Sequence, residues 1–277
     1  MKKIFIDAGH GGGDPGAVGN GMRESDIVLD VALRLGAILA ADFEIRQSRT
    51  TNRALTINER WQAANAWGAD CLISIHANAG GGTGVETVIP TASPNNPSRN
   101  LQNNRRFAEI VSNTIGGAFN MRVRRANGVM LETETRHKTL GVLRHTRMIA
   151  IMPEIAFIDS PLSNPDVEVL RNRRADVAAA LAESVYSFFG VAPSVPAPPS
   201  EQPGIIFRVQ VGAFNQRANA VSTNERLRTR GFEGFIFEDG ALFRVQVGAF
   251  RERSNAERLA DTLRAQGFDT FITTFGG

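Results

Sequence analysis

The octapeptide Phe-Arg-Val-Gln-Val-Gly-Ala-Phe occurs twice, at Phe207–Phe214 and again at Phe243–Phe250. At the same offset Arg217 matches Arg253, Asn219 matches Asn255, Leu227 matches Leu263, Gly231 matches Gly267 and Phe235 matches Phe271. Such a duplication confines the C-terminal part to two copies of one small unit, 207–242 and 243–275. FRVQV alternates apolar and polar residues, as a half-buried strand does. In the second copy Ser254–Gln266 carries Ala256, Leu259, Ala260 and Leu263 at helical spacing, and Gly267 ends that stretch as a C-cap residue would. Phe268–Thr273 supplies a second strand. Two β-α-β units of this length predict a four-stranded sheet with both helices on one face, a small α+β domain of ferredoxin-like plan. Phe207, Val209 and Val211 are expected to face the helices, which leaves Arg208, Gln210, Arg244 and Gln246 on the open face.

Ahead of the duplication, Gly190–Gly204 reads GVAPSVPAPPSEQPG, without periodicity. A Pro/Ala-rich stretch is an extended spacer at roughly 3.1 Å per residue, so the two parts are expected to be tethered, not fused. The expected organisation is a first domain at 1–189, a linker at 190–204 and a second domain at 205–277. The first domain alternates strand-like segments (Lys3–Asp7, Glu44–Arg49, Cys71–His76, Gly84–Ile89, Ile149–Phe157) with helix-like ones (Ser25–Ala41, Ile57–Trp67, Ser98–Phe119, Ala175–Phe188). Alternation of this kind predicts an α/β fold, three layers α/β/α around a largely parallel sheet. Ser25 fits an N-cap for the first helix.

Composition narrows the function classes. Hydrophobic residues make up 42% and charged residues 21% of the 277 positions, an ordinary globular balance. Cys71 is the one cysteine, which excludes an intrachain disulfide, and its apolar neighbours predict a buried thiol. The net charge of +3 and a pI of about 9.6 favour an anionic polymer as partner, nucleic acid or cell wall. Asp7 stops the first apolar run far short of a signal-peptide core, and no segment approaches a membrane span. The expectation is a chain made in the cytoplasm, with no membrane partner, reaching any external target by lysis or a non-classical route.

The chain has four histidines, His10, His76, His137 and His145. His10 and His76 follow predicted strands, and the carboxyl ends of strands in open α/β sheets are where ligands bind. The glycines after His10 would let backbone and substrate approach closely. Glu24 lies where the Gly-rich loop meets a helix. Two histidines and a glutamate form a known catalytic zinc set, with the fourth position left to water. The same residues also suit plain roles: a polar loop residue, an acid favoured by the helix dipole, and a strand cap. Glu154 sits inside the apolar run 149–157 and needs either a structural arginine partner or a task as catalytic base. Asp7 suits either support of a ligand histidine or a strand-end role. His137 and His145 read as surface residues, and Arg60 and Asn65 as residues that hold their helix.

Residues 3–190 resemble the zinc N-acetylmuramoyl-L-alanine amidases of the amidase-3 type. The matching stretches are IDAGHGGGDPGAVGNGMRESD, SRTTNRALTINERWQAANAWGADCLISIHANAGGGTGVE, VLRHT and PEIAFIDSPLSNPD. The resemblance implies that His10, Glu24 and His76 bind one zinc ion and that Glu154 is the catalytic glutamate. It implies hydrolysis of the amide between N-acetylmuramic acid and the L-alanine of the stem peptide by zinc-activated water. The second domain resembles the SPOR repeat, whose family role is binding peptidoglycan glycan strands. The pairing is similar to the mother-cell-lysis amidases of spore formers and to phage endolysins. Bacterial peptidoglycan is then the partner, as substrate and as anchor, and a monomer is expected. Ala8, Ala156 and Ile149 depart from the family's usual proline, glycine and proline.

Two other readings compete. The basic pI and an arginine-bearing open sheet would suit an RNA-recognition domain, but the central strand positions carry Arg, Gln and Gly where stacking needs aromatics. A zinc carboxypeptidase acting on stem peptides would use the same metal set and would free D-alanine.

Overall fold

A computed structural model describes residues 1–92, 101–194, 206–232, 234–250 and 253–275. The chain divides into two compact units, Met1–Ser200 and Glu201–Gly277. Most of the expected linker, and the start of the helix expected from Ser98, lie outside the described residues.

The first unit opens with strand β1 (Lys3–Ala8), a short hairpin β2 (Val18–Gly19) and β3 (Met22–Arg23), then helix α1 (Glu24–Leu39). There follow β4 (Glu44–Gln47), α2 (Ile57–Trp67), β5 (Cys71–Asn78), β6 (Glu86–Ile89) and α3 (Leu101–Phe119). Next come β7 (Val129–Leu131), a one-turn α4 (Gly141–Arg144), β8 (Ile149–Phe157), α5 (Pro165–Asn172) and α6 (Arg174–Phe189). The sheet order is β4-β1-β5-β8-β6-β7. The ladders β4-β1-β5-β8 are parallel, and β6 runs antiparallel to β8.

Both faces of the sheet are covered, which is why β1, β5 and β8 read as almost continuous apolar runs. On one face Ile4, Ile6, Ile73 and Ile75 pack with Leu35, Phe107, Ile115 and Leu181 from α1, α3 and α6. The rings of Phe107 and Phe188 stack at 4.5 Å and join α3 to α6. On the other face Phe5, Leu72, Ala150 and Met152 pack with Ala64 of α2 and Val142 and Leu143 of α4. These are the three expected layers. Cys71 is buried, and burial pushes its thiol well above the usual range.

Helix α2 starts on a capping box: Thr56 Oγ1 accepts from Glu59 N and the Glu59 carboxylate accepts from Thr56 N. Such a cap is worth about 1 kcal/mol. Helix α1 does not start at Ser25 as its cap. It starts at Glu24 straight from β3, with Arg23 at the N-cap position and no side-chain cap bond. Ser25 is inside the helix and buried.

The second unit contains β9 (Ile206–Phe214), α7 (Arg217–Thr229), β10 (Phe235–Asp239), β11 (Leu242–Phe250), α8 (Arg253–Ala265) and β12 (Phe271–Phe275). Its sheet order is β10-β11-β9-β12, antiparallel throughout, the ferredoxin-like plan. Val209, Val211 and Val245 pack with Ala220, Leu227, Ala256, Ala260 and Leu263 of the two helices, and Phe207 lies against them. No described helix in either unit is long and apolar enough to cross a membrane.

Candidate active site

The carboxyl ends of β1, β5 and β8 meet the first turn of α1. Beyond β1 the chain enters a tight loop in which His10 takes a left-handed φ of 57°. This is a costly conformation for a side-chain-bearing residue, and such conformations collect at functional sites. His10 Nε2 stands 3.1 Å from Glu24 Oε2, and His76 Nδ1 stands 2.9 Å from Glu24 Oε1. The two imidazoles meet edge to face with centroids 5.0 Å apart. One ligand atom from each of His10, Glu24 and His76 lies within 4.8 Å of the others, so residues far apart in sequence converge on one point.

Glu24 is 3% exposed, yet each of its oxygens also accepts a backbone N–H, Oε1 from Ala77 and Oε2 from Ala17. Burial pushes its pKa up, but the hydrogen bonds and charges of His10 and His76 outweigh this and hold it far below the usual carboxylate range. Burial lowers His10, but the bond and charge of Glu24, helped by Asp14, win and raise its pKa to about 9. His76 is likewise pulled down by burial and raised on balance by Glu24.

Glycine makes this convergence possible at two positions. A Cβ on Gly9 would collide with the His76 ring. One on Gly16, whose φ is +65°, would stand 2.6 Å from both Glu24 Oε2 and His10 Cδ2. The expectation placed the useful glycines directly after His10, at Gly11–Gly13. Instead Gly11 and Gly12 close against the loop at Arg53 and Ala54.

Two buried arginines hold the loop. Arg49 donates to the carbonyls of Ala8, Gly9 and Ser25, and Arg60 donates to those of Ala8, His10 and Leu55. Arg60 also bonds Asp7 Oδ1 at 2.7 Å, and Ser74 Oγ donates to Asp7 Oδ2. Asp7 therefore serves the strand end. The residue that supports His10 is Asp14, whose Oδ2 lies 2.8 Å from His10 Nδ1. Ala8, in place of the family's proline, uses its N–H on Ser48 Oγ. Asn65 holds the backbone at His145 and Arg147. His137 is exposed as expected, but His145 is half-buried with its ring 5.3 Å from that of Trp61.

Glu154 lies directly opposite His76 in the β5–β8 ladder. No hydrogen bond or ion pair engages its carboxylate among the described residues. Burial, opposed by His76 and assisted by the carboxylates of Glu24 and Glu86, pushes its pKa up to about 7. Glu86, the next residue along the row, was not foreseen. It faces Glu154 in the β8–β6 ladder, is 2% exposed, and is bound by Asn78, Arg124 and Arg125.

In the second unit, Arg208, Arg244 and Gln246 occupy the side of the sheet away from the helices, as Val209 and Val245 point into the core. Gln210 differs from expectation. A bulge shifts the β9–β11 register beside it, Arg244 Nη1 donates to its Oε1 at 3.3 Å, and it is 2% exposed. The same face carries aromatics on its edge strands. Ile236 and Ile272 point into the core, which turns Phe235, Phe237 and Phe271 outward. One ladder row runs Phe235–Gln246–Gln210–Phe271. Phe235 is 67% exposed, and Arg208 lies over the ring of Phe237.

Residues 4–187 match the family described as N-acetylmuramoyl-L-alanine amidase, and 203–274 match the SPOR domain. The chain is 33% identical over 240 residues to the sporulation-specific N-acetylmuramoyl-L-alanine amidase of Bacillus subtilis, covering 85% of this chain and 84% of that protein. It is 31% identical over 190 residues to the endolysin of Bacillus phage SPP1, covering 66% and 65%. Among solved structures, the catalytic domain of the amidase CwlV from Bacillus (Paenibacillus) polymyxa superposes with a TM-score of 0.57 at 26% identity. That match covers 69% of this chain and all of that domain. With the sheet, the convergent His/Glu/His set and the matched span in agreement, the chain belongs to the N-acetylmuramoyl-L-alanine amidase family.

Proposed function

We propose that the chain hydrolyses the amide between N-acetylmuramic acid and L-alanine in bacterial peptidoglycan, with one zinc ion held by His10, Glu24 and His76. The observation that carries this is the pairing of a three-donor cluster with an unengaged carboxylate, Glu154, one strand away. The donors fit the metal. Two imidazole nitrogens and a carboxylate oxygen are a zinc set, and Asp14 on His10 Nδ1 turns Nε2 toward Glu24 and the shared point. When bound, zinc supplies Lewis acidity, bringing the pKa of water it holds to roughly 7 and polarising a carbonyl.

The chain's own residues do the rest. Glu154 takes the proton of the attacking water and delivers it to the departing L-alanine nitrogen, a double task suited to a carboxyl poised near neutrality. Arg49 and Arg60 fix the His10 loop so that its donors are positioned before substrate arrives. The second unit, through Arg208, Arg244, Gln246 and the flanking phenylalanines, holds glycan strands and raises the local concentration of substrate. Gln210 supports that face from beneath. The chain reaches the wall after lysis of the producing cell or by a non-classical route.

Mass spectrometry of digested wall tests the reaction. An amidase exposes the amine of L-alanine, whereas release of D-alanine would show a carboxypeptidase and overturn the assignment.

A further inference from the structure

Arg125 has φ 55° and ψ −174°, a region of backbone space that glycine alone visits freely. It is neither buried nor part of a strand or helix, so packing does not explain the conformation. Its guanidinium reaches Glu86 through Nε at 3.3 Å. The terminal nitrogens are held only loosely, by a long ion pair and a sulfur. Nη1 pairs with the half-exposed Glu134 at 3.6 Å, Nη2 donates to Met130 Sδ at 3.9 Å, and the side chain is 39% exposed. Arg124 beside it binds the other Glu86 oxygen and lies over the ring of Phe157. Glu86 is therefore a buried carboxylate with two arginines on it, and the weak contacts at the outer one's two-pronged end are ones an incoming carboxylate can displace.

The position relative to the reaction centre is set by the ladder. His76, Glu154 and Glu86 form one row across β5, β8 and β6. Adjacent strands are about 4.8 Å apart, so Glu86 is about 10 Å along the row from His76. Two extended residues span about 7 Å. A peptide whose first amide lies over the His76–Glu154 step, and which runs along the row toward β6, brings its second residue to the Arg125 end.

We infer that Arg125 is a specificity-determining residue that anchors a free carboxylate on the second residue of the stem peptide. The inference rests on the amidase reading above. The chemistry fits, because that residue is a glutamate linked through its side chain, which leaves its α-carboxylate free unless it is amidated. A planar guanidinium end binds such a carboxylate in two-pronged fashion and gains nothing comparable from a carboxamide.

The test uses ligands that differ only at that group. Calorimetry on the zinc-free full chain compares the tripeptides L-alanyl-γ-D-glutamyl-L-lysine and L-alanyl-D-isoglutaminyl-L-lysine, whose glutamyl side chain is tied up as an amide in both. The acid should bind about ten- to a hundredfold more tightly. Arg125→Gly should bring that ratio close to one while keeping its melting temperature, since relief of the backbone offsets the loss of two partly exposed ion pairs. Arg125→Lys should keep only part of the preference. Equal binding of acid and amide by the unaltered chain, or a preference that survives in Arg125→Gly, would overturn the anchor. Cleavage of the corresponding muramoyl tripeptides is read separately with the zinc-loaded chain. An acid preference in binding with no exposed alanine amine would sink the amidase reading and leave the anchor standing.

Discussion

Glu154 faces His76 across the β5–β8 ladder, and no hydrogen bond or ion pair holds its carboxylate among the described residues. The three ligand candidates, by contrast, hold one another. Glu24 is bound to both histidines and to two backbone N–H groups. One carboxylate is thus built to stay charged and fixed, and the other to exchange a proton.

That contrast separates the two glutamates by experiment. Glu154→Gln should retain zinc, measured by atomic absorption, while turnover falls by roughly 10²–10⁴. Glu24→Ala should lose zinc. The opposite pattern would mean the two roles are reversed.

Metal removal should change how stability depends on pH. In the zinc-free chain His10 has a folded pKa of about 9, above its unfolded value of about 6.5. Its contribution is complete below the lower value and is lost as pH rises through the upper one. Glu24, depressed when folded, contributes above its unfolded value of about 4.5 and loses that contribution only in acid. The zinc-free melting temperature should therefore fall from pH 6.5 to pH 10. Zinc must displace the protons on its ligands, so the gain in melting temperature on adding zinc should widen over that interval. A constant gain across it would show that these histidines are not the ligands.

Two glycine substitutions should diverge. Gly16→Ala puts a methyl group against Glu24 and His10 at a positive φ and should abolish zinc retention. Gly13→Ala has nothing within 4 Å of the new atom and should be close to neutral in zinc content and melting temperature. Normal zinc content in Gly16→Ala would place the metal elsewhere.

The division of labour between the units is read with two substrates. Residues 1–189 alone should cleave small soluble muropeptides about as fast as the full chain, and insoluble wall markedly more slowly. In the full chain, Phe235→Ala and Phe271→Ala should weaken co-sedimentation with wall by about 1 kcal/mol each without unfolding the second unit. Equal loss on soluble and insoluble substrate in the truncation would make the second unit part of the active site.

Much of this site was legible because its residues lie at boundaries that sequence marks well. His10 and His76 follow apolar strand runs, and Glu24 opens an amphipathic helix. The duplicated octapeptide similarly exposed the second sheet and its core-facing valines. What was missed depends on partner choice over long separations. Asp7 and Asp14 both flank His10 in sequence, and only the fold shows Arg60 and Ser74 claiming the first. Glu86 acquires Arg124 and Arg125 from a segment 38 and 39 residues away. Gln210 disappears beneath Arg244 because a bulge moves the register, which strict alternation does not foresee. Helix α5 did leave a signal: Asn164 caps it and Pro165 occupies its first turn. The three-residue β7 left none, since its Asn127-Gly128 approach reads as a plain turn.

The carbonyl oxygens of Ala8, Gly9 and His10 are all engaged by Arg49 and Arg60. A calcium ion seeks roughly six to eight oxygen ligands and commonly recruits backbone carbonyls to reach that number. Here the carbonyls flanking His10 are already spent on guanidinium groups, which handicaps a cation that relies on oxygen alone. The two arginines that hold the loop in shape thereby also bias the choice of ion, leaving a nitrogen-rich pocket suited to zinc and a poor one for the far more abundant alkaline-earth ions.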